Sequence, residues 1–400
     1  MRRNLTLLAL ACAVLLSITR TASAYPAVID QAYAASLVPP GANLIVVGTT
    51  IQAAVDTAAT GDVVFVPTGH YAENVNVRTP GLTLVGPHDA VLDGTGLAGG
   101  NGIDVRPTNP AMLLGAFDLI GLSIRNYSRN GVFLRGVDDY SITSGEYIDN
   151  EAYGIFPIRS LNGFIADNVV SGSNDTGIYV GQSMGAMIRD NHTFDNTVGI
   201  AVENTIDADV IDNMADGNSI GLQAVVLPGL SIKEMTDVRV SGNTFANNNR
   251  PNPVTDPGDF LSFVPAGIGA LFVGANEAYV FDNQITGNGS VGLGLLSQLP
   301  DIAALDPMLD AVPDFNQFID NTVTGNGLAP DPKLALLGFP AADIVWDGTG
   351  VGNGFRNNVY GTAVPSELPV PEPASAVLLV TGLTMFCINA LWRPRSTNRS

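Results

Sequence analysis

Gly177-Ile178-Tyr179-Val180, then Ala186-Met187-Ile188-Arg189-Asp190-Asn191, then Asn196 three residues ahead of Gly199-Ile200: this stretch is one unit of a pattern that sets the architecture. The Gly-apolar pair recurs at Gly131-Val132, Gly154-Ile155, Gly177-Ile178, Gly199-Ile200, Gly221-Leu222, Gly267-Ile268 and Gly292-Leu293. The steps between them are 23, 23, 22, 22, 46 and 25 residues. Asn168, Asn191 and Asn213 each lie 14 residues after the Gly of their unit, and Asn174, Asn196 and Asn218 fall three residues before the next Gly. Ladders locked in phase at this period are the signature of a solenoid. The 46-residue step reads as two turns, or as one turn carrying an insertion.

Each unit holds two or three short alternating runs separated by Asn, Asp, Ser and Gly, which is strand chemistry with turn punctuation. At about 3.3 Å per residue, such a unit supplies one rung of three short strands and their turns. Helical solenoids need longer units with amphipathic stretches, and this region lacks them. Asn and Asp tolerate left-handed backbone, and stacked Asn side chains bond from rung to rung, so the Asn ladders are read as structural. The expected fold is all-β: a single-stranded right-handed parallel β-helix over 51–347, right-handed because parallel crossovers strongly prefer that hand. Ile51, Ala54, Val55 and Ala58 share one face of a short helix expected to cap the N-terminal end of the core. Leu334 to Val345 is expected to close the other end.

The ends of the chain read differently. Residues 1–24 have the form of a signal peptide: Arg2 and Arg3, an apolar stretch from Leu5 to Ile18, and Ala22-Ser23-Ala24 as a small-residue cleavage site. Residues 25–50 read as a lead-in segment and 348–369 as a linker. Residues 370–395 form a tripartite tail: Val370-Pro371-Glu372-Pro373, then an apolar run over 374–392, then Arg393-Pro394-Arg395. That run is long enough for a transmembrane helix, and the trailing arginines favour a cytoplasmic end. The tail resembles the PEP-CTERM sorting signal of Gram-negative bacteria. The resemblance implies an exosortase-type sorting enzyme as a partner, membrane anchoring before processing, and delivery to the cell surface or extracellular matrix.

Both cysteines, Cys12 and Cys387, lie in these end segments, so disulfide and thiolate chemistry are excluded from the solenoid. The chain has 18 basic and 38 acidic residues, a net charge of −20. All but one of the acids fall between Tyr25 and Pro369. Such a charge argues against nucleic acid as a partner, and it repels polyanionic glycans at low salt unless cations intervene. No cofactor is predicted, and Ca2+ is the ion this charge balance would admit.

The order Ile51-Gln52-Ala53-Ala54-Val55, Gly61-Asp62-Val63-Val64-Phe65-Val66-Pro67, Tyr71-Ala72-Glu73-Asn74-Val75 and Leu82-Thr83-Leu84-Val85-Gly86 resembles the start of many secreted β-helix proteins. These include pectinesterase-like and copper-site-assembly (NosD-like) members. With the two ladders, the resemblance to right-handed parallel β-helix repeat proteins covers roughly Ile51 to Gly327. It implies a fold and leaves activity open, because this solenoid hosts lyases, esterases, hydrolases, epimerases and binding proteins.

The phase of the repeat sorts side chains. The first and third residues after each Gly point inward, and the second and fifth point outward. The second position gives Phe133, Phe156, Tyr179, Ala201 and Gln223, and the fifth gives Gly136, Arg159, Gln182, Asn204 and Val226, with Arg135 and Glu203 beside them. Aromatic faces stack on sugars while Arg, Gln, Glu and Asn hold hydroxyls or carboxylates. The candidate carbohydrate-binding residues are therefore Phe133, Phe156, Tyr179, Arg159, Gln182, Glu203 and Asn204. Insertions over 224–264 and 299–315, the latter carrying Asp301, Asp306, Asp310 and Asp314, would flank them.

The Tyr153 to Ser160 strand and the one after it also resemble periplasmic mannuronan C5-epimerases, whose first strand carries Asp-Pro-His after Gly-Ile. Here those positions are Phe156-Pro157-Ile158, and Ile cannot abstract a proton. Only Arg159 remains as a carboxylate binder. His70, His88 and His192 are scattered, and no Met, His or Cys cluster suits copper. Three readings follow: an exported polysaccharide-binding or matrix protein without the epimerase pair; a lyase, hydrolase or epimerase with a site near Arg159 and Glu203; and a structural or adhesive surface protein.

Overall fold

Every strand pairing is parallel, and each turn of the chain stacks on the one before it. The computed structural model describes residues 28–256 and 260–370. A representative turn runs Thr176–Gly181, Met184–Arg189 and His192–Phe194, after which Val198–Glu203 opens the next turn. The first strand of each turn joins an eleven-stranded sheet, and the other two join a 21-stranded sheet that folds around a corner. Two long strands, Leu82–Asp93 and Leu114–Arg125, run through that corner and tie its two faces together. Between the sheets lies one continuous core, in which Val132, Ile155, Ile178, Ile200, Leu222, Ala270, Leu293 and Ile344 stack fully buried on successive turns.

The glycine ladder exists because of a close approach between turns. A Cβ on Gly177 would sit 2.8 Å from the Gly199 carbonyl oxygen and 2.9 Å from Asn196 Nδ2. The same collision repeats at Gly102, Gly131, Gly154, Gly199, Gly221, Gly269 and Gly292. The register corrects one anchor: Leu222 faces Ala270, so Gly269 rather than Gly267 lies in the column, and Gly267 is a turn residue at φ +88°. The column ends where the Gly292 position meets the Asp343 carbonyl.

The Asn ladders hold the corners. The Asn191 backbone N–H and Nδ2 both donate to Asn213 Oδ1, at 3.0 and 2.9 Å, while Nδ2 also reaches back to the Ile165 carbonyl at 3.0 Å. The pattern runs from Asn168 through Asn191, Asn213, Asn243, Asn283 and Asn321 to Asn358. The preceding residue in most of these corners is an Asp at positive φ, as at Asp167, Asp190 and Asp212. A second ladder runs Asn196, Asn218, Asn248, Asn288 and Asn326, and Asp343 Oδ1 terminates it. Asn174 is not part of it. An extra residue at that corner puts Ser173 in the slot, with its N–H donating to Asn196 Oδ1, and leaves Asn174 exposed.

The helix Ile51–Thr57 forms as expected and buries Ile51, Ala54 and Val55 over the N-terminal end of the core. The Thr50 side chain accepts from Ala53 N, and the Glu73 carboxylate accepts from the N–H groups of Ile51 and Gln52. The lead-in is more structured than expected. It contributes a helix, Gln31–Ser36, and a strand, Leu44–Val46, paired with Val63–Phe65. That helix covers the outward side chains of Val63, Phe65 and Val85 with Ala34 and its neighbours.

Of the two readings of the long step after Gly221, the structure takes the second: it is one turn with two insertions, 226–235 and 247–267, around the strands Thr236–Ser241 and Thr244–Ala246. One further expectation is corrected. Residues 348–369 are the last turn and not a linker: Gly354–Arg356, Val359–Tyr360 and Ala363–Val364 each pair in register. Ala342–Trp346 is likewise a full strand, so the end of the core is covered instead by Leu368, with the Pro369 carbonyl accepting from Phe355 N. Strands of two or three residues rich in Asn and Gly read as a tether in sequence, yet the ladder bonds at Asn353 and Asn358 fix them. Among the described residues no helix is long and apolar enough to cross a membrane. The signal peptide expected over 1–24 and, apart from Val370, the sorting tail expected over 370–395 with a transmembrane helix lie outside the described residues.

Candidate functional site on the outer face of the eleven-stranded sheet

Three outward columns run along the eleven-stranded sheet. The middle one reads Asn76, Asp104, Phe133, Phe156, Tyr179, Ala201, Gln223, Leu271 and Gly294, so the expected aromatic column is in register. Phe133 and Phe156 lie 5.5 Å apart and remain partly exposed, while Phe156 meets Tyr179 edge-on at 4.8 Å. Tyr153 joins them, stacked on Phe156 at 4.0 Å with an interplanar angle of 10°. It escaped the alternation argument because the strand resets at the glycine. A Cβ on Gly154 would point at Val170 in the core, as the Ile155 side chain does, so Tyr153 emerges outward beside Phe156.

Tyr179 is only 7% exposed, because its ring bends across Gly181 and its hydroxyl donates to Glu203 Oε1 at 2.7 Å. A Cβ on Gly181 would lie 2.4 Å from that ring, so this glycine makes the room. Glu203 stands in the third column, next to Gly181 on one side and Val225 on the other. Burial pushes its carboxyl up to about 7; the Tyr179 bond works against this and the charge of Asp175 adds to it. Burial, followed by the charge of Glu203, pushes the Tyr179 hydroxyl upward as well. The pair is thus a neutral tyrosine beside an acid that changes charge near neutral pH.

The fifth-position residues turn the corner in left-handed backbone: Arg159 at φ 51°, Gln182 at 50° and Asn204 at 43°. Arg159 Nε donates to Gln182 Oε1 at 3.2 Å, and Gln182 also accepts from Ser231. Asn204 does not belong to the site. It is fully buried, and it holds the 226–235 insertion by donating to the Leu227 and Ile232 carbonyls and accepting from Leu227 N.

Sequence reasoning placed Arg135 and Arg159 on this face but missed Arg106 and the cleft the three form. Arg106, Arg135 and Arg159 converge on a cleft of about 220 Å³, roofed by Pro107, Met112 and Leu113 from the irregular 107–113 segment. A contiguous polar hollow beside Arg106 takes in Asn76, Asn101, Asp104 and Arg129. Five of the ten arginines among the described residues, Arg78, Arg106, Arg129, Arg135 and Arg159, gather on these first turns. Asp104 pairs with Arg78 at 3.0 Å and Arg106 at 2.9 Å, but among the described residues Arg129, Arg135 and Arg159 have no carboxylate partner. Guanidinium groups in this state are suited to carboxylates and sulfates.

Toward the C-terminal end the same face is apolar and partly roofed. Val198, Ile220, Ile268 and Val291 pack there with Val264 from the 247–267 insertion and Leu334 from the helix Pro332–Leu336. The acids of the 299–315 insertion do not line this face as a cluster. Asp306 pairs with Lys233 and accepts from Gly229 N, joining this insertion to 226–235. His192 bonds Asp216 at 2.7 Å on the other sheet and His88 bonds the Ser144 carbonyl, so neither reaches the site. Among the described residues no group of three or more His, Cys, Asp and Glu is placed to hold a metal ion.

Stacked parallel turns with an inward apolar column define a right-handed parallel β-helix protein. The model of the right handed beta helix region matches residues 109–303. No curated protein matches the chain. Among solved structures, the A-module of the mannuronan C-5 epimerase AlgE4 of Azotobacter vinelandii is 20% identical with a TM-score of 0.57, over 77% of this chain and 82% of that one. The A-module of AlgE6 from the same organism is 18% identical with a TM-score of 0.57, over 77% and 81%. DFA-IIIase from Arthrobacter chlorophenolicus A6 is 14% identical with a TM-score of 0.53, over 80% and 92%. At these identities the likeness is one of fold.

Proposed function

We propose that this chain is an exported β-helix protein that binds an acidic polysaccharide along the outer face of the eleven-stranded sheet. The observation that carries the reading is the placement of Arg135 and Arg159, which among the described residues have no carboxylate partner, with Arg106 in one cleft beside a partly exposed Tyr153-Phe156-Phe133 platform. Aromatic rings take sugar faces, and guanidinium groups take the acidic substituents. Structural neighbours named for mannuronan epimerisation and for DFA-III support a saccharide ligand. Export, sorting by an exosortase-type enzyme and anchoring through 374–392 belong to the same proposal and rest on the two ends of the sequence. Ca2+ would serve as a bridge between acidic groups of ligand and protein.

Affinity electrophoresis on acidic and neutral polysaccharides, with and without Ca2+, tests the binding. Retention on acidic polymers that Phe156→Ala and Arg135→Ala each weaken is the expected result. No retention on any polymer defeats the reading.

A second reading is favoured by one observation, the Glu203 carboxyl raised to about 7 beside the Tyr179 hydroxyl. A general acid or base at neutral pH has this character, so the same face could cleave or epimerise its ligand. Product formation lost in Glu203→Gln, with binding retained, would establish catalysis. Binding without any product in the wild type leaves the first reading alone.

A further inference from the structure

The outer face does not end at Glu203. One turn further on it opens into an apolar cavity of about 220 Å³, floored by Val225, Leu271, Val273 and Leu296 and walled by Phe263 and Phe339. These walls come from segments that the regular turns lack: the 247–267 insertion and the stretch following the helix Pro332–Leu336. Most outward positions of a solenoid face water, so an apolar hollow here is built by the insertions.

Three observations identify what would fill it. The cavity continues the column of the aromatic platform, because Gln223 and Leu271 follow Phe156, Tyr179 and Ala201 on successive turns. At about 4.8 Å per turn, Gln223 lies roughly 14 Å from Phe156, within the span of one short oligosaccharide. Next, the polar side chains at its rim are mostly committed. Gln298 donates to the Val226 carbonyl and accepts from Leu299 N, and Ser297 bonds Thr349. Gln223 alone of the three has, among the described residues, no hydrogen-bond partner. Finally, the hollow is small and walled. A cavity of roughly 150 Å³ is enough for benzene, so this one takes a short apolar chain but neither a helix nor a flat protein surface.

We infer that the cavity beside Gln223 binds an acyl substituent of the glycan, with the Gln223 amide donating to the ester carbonyl and the hydrocarbon lying against Leu271, Val273 and Leu296. The inference rests on the glycan-binding reading of the same face and narrows its ligand to an O-acylated polymer. Gln223 supplies a donor at the mouth of an otherwise apolar pocket, which is what an ester with an apolar tail requires.

The test uses the full chain and two small probes, a hexanoyl ester of glucose and hexyl glucoside, measured by calorimetry or ligand-observed NMR. Expected are binding of both, at least tenfold weaker binding of both in Val273→Phe, whose ring would occupy the hollow, and a several-fold loss in Gln223→Leu confined to the ester. Failure of both probes to bind wild type, or equal affinity in wild type and both variants, overturns the inference. A concentration-dependent dimer that the probes dissociate would assign the hollow to a second copy and would likewise overturn it. An acidic polymer before and after mild alkaline deacylation separates the two proposals. If probes bind but neither polymer does, the polysaccharide reading falls, and with it the glycan as bearer of the acyl group, while the hollow remains a site for an acyl ester; if both polymers bind equally and probes do not, the acyl pocket falls and the polysaccharide reading stands.

Discussion

Replacing Glu203 by Gln separates what this acid contributes to folding from what it contributes to any chemistry. The carboxyl is raised from an ordinary value of 4.5 to about 7, chiefly by burial. Between those values the folded chain holds a proton that the unfolded chain has released, so folding stability falls as pH rises. Below about pH 4.5 both states are protonated and the full stability is present; above about pH 7 both are ionised and the loss is complete. An interval of about 2.5 pH units at about 1.36 kcal/mol each amounts to about 3 kcal/mol. Gln keeps an oxygen for the Tyr179 hydroxyl and carries no charge. Glu203→Gln should therefore be near neutral at pH 5 and stabilising by up to about 3 kcal/mol at pH 8. Urea denaturation of both proteins at pH 5, 6, 7 and 8, followed by tyrosine fluorescence and circular dichroism, reads the difference directly. A variant that is equally destabilised at pH 5 and pH 8 would refute the reasoning, because it would mean the carboxylate is held by favourable contacts and not by desolvation.

The remaining predictions concern the core, a corner, the inserted loop and the ligand. Tyr147 and Tyr140 are buried with hydroxyls that have no partner among the described residues, so Tyr147→Phe should raise stability by about 1 to 2 kcal/mol in the same urea assay. Gly177→Ala places a methyl 2.8 Å from the Gly199 carbonyl oxygen and should cost about 1 to 3 kcal/mol, seen as a lower thermal midpoint. Asn204→Ala removes the three bonds by which this side chain holds 226–235, leaving those to Asp306, and should speed proteolytic cutting within that loop, with the turns themselves unchanged in circular dichroism. Removing Arg135 and Arg159 together should reduce affinity for an acidic polysaccharide at least tenfold and flatten its dependence on salt, while stability stays within about 0.5 kcal/mol of wild type.

Features that every turn must satisfy were legible in the sequence. A glycine that would otherwise strike the next carbonyl, and an asparagine that must bond its counterpart, recur at fixed spacing because the contact recurs. Legibility failed where spacing shifted. Gly267-Ile268 imitates the motif better than Gly269-Ala270 does, and only contact with Gly221 across the 247–267 insertion distinguishes them. Asn174 sits one residue off a slot that Ser173 fills. Of the candidate site, Phe133, Phe156, Tyr179 and Glu203 come from the outward phase and fall together, whereas Asn204 shares that phase but points at a loop that only the folded chain brings near. Arg135 and Arg159 come from the same phase, whereas Arg106 and the roof of their cleft over 107–113 carry no local signal, because that segment is irregular.

A net charge of −20 suggests a protein that repels polyanions. Yet eleven of the acids, ten Asp and Glu277, sit at positive φ, most of them where a turn passes from one strand to the next. Short polar side chains are favoured there because they tolerate left-handed backbone and bond locally, so a large part of the acidity answers to the repeat and not to a ligand. Those corners lie at the edges of the sheets. On the outer face of the first turns the balance is reversed, with five arginines against Asp104. At about 0.1 M salt the charges beyond roughly 10 Å are screened, while contacts inside the cleft are not. An acidic ligand at that cleft responds to the arginines within reach more than to the sum over the chain. In a solenoid, inward and corner positions carry the fold, and the outward columns of one sheet are free to differ from turn to turn. Recognition is therefore written on this face locally, basic at one end, aromatic in the middle and apolar at the other.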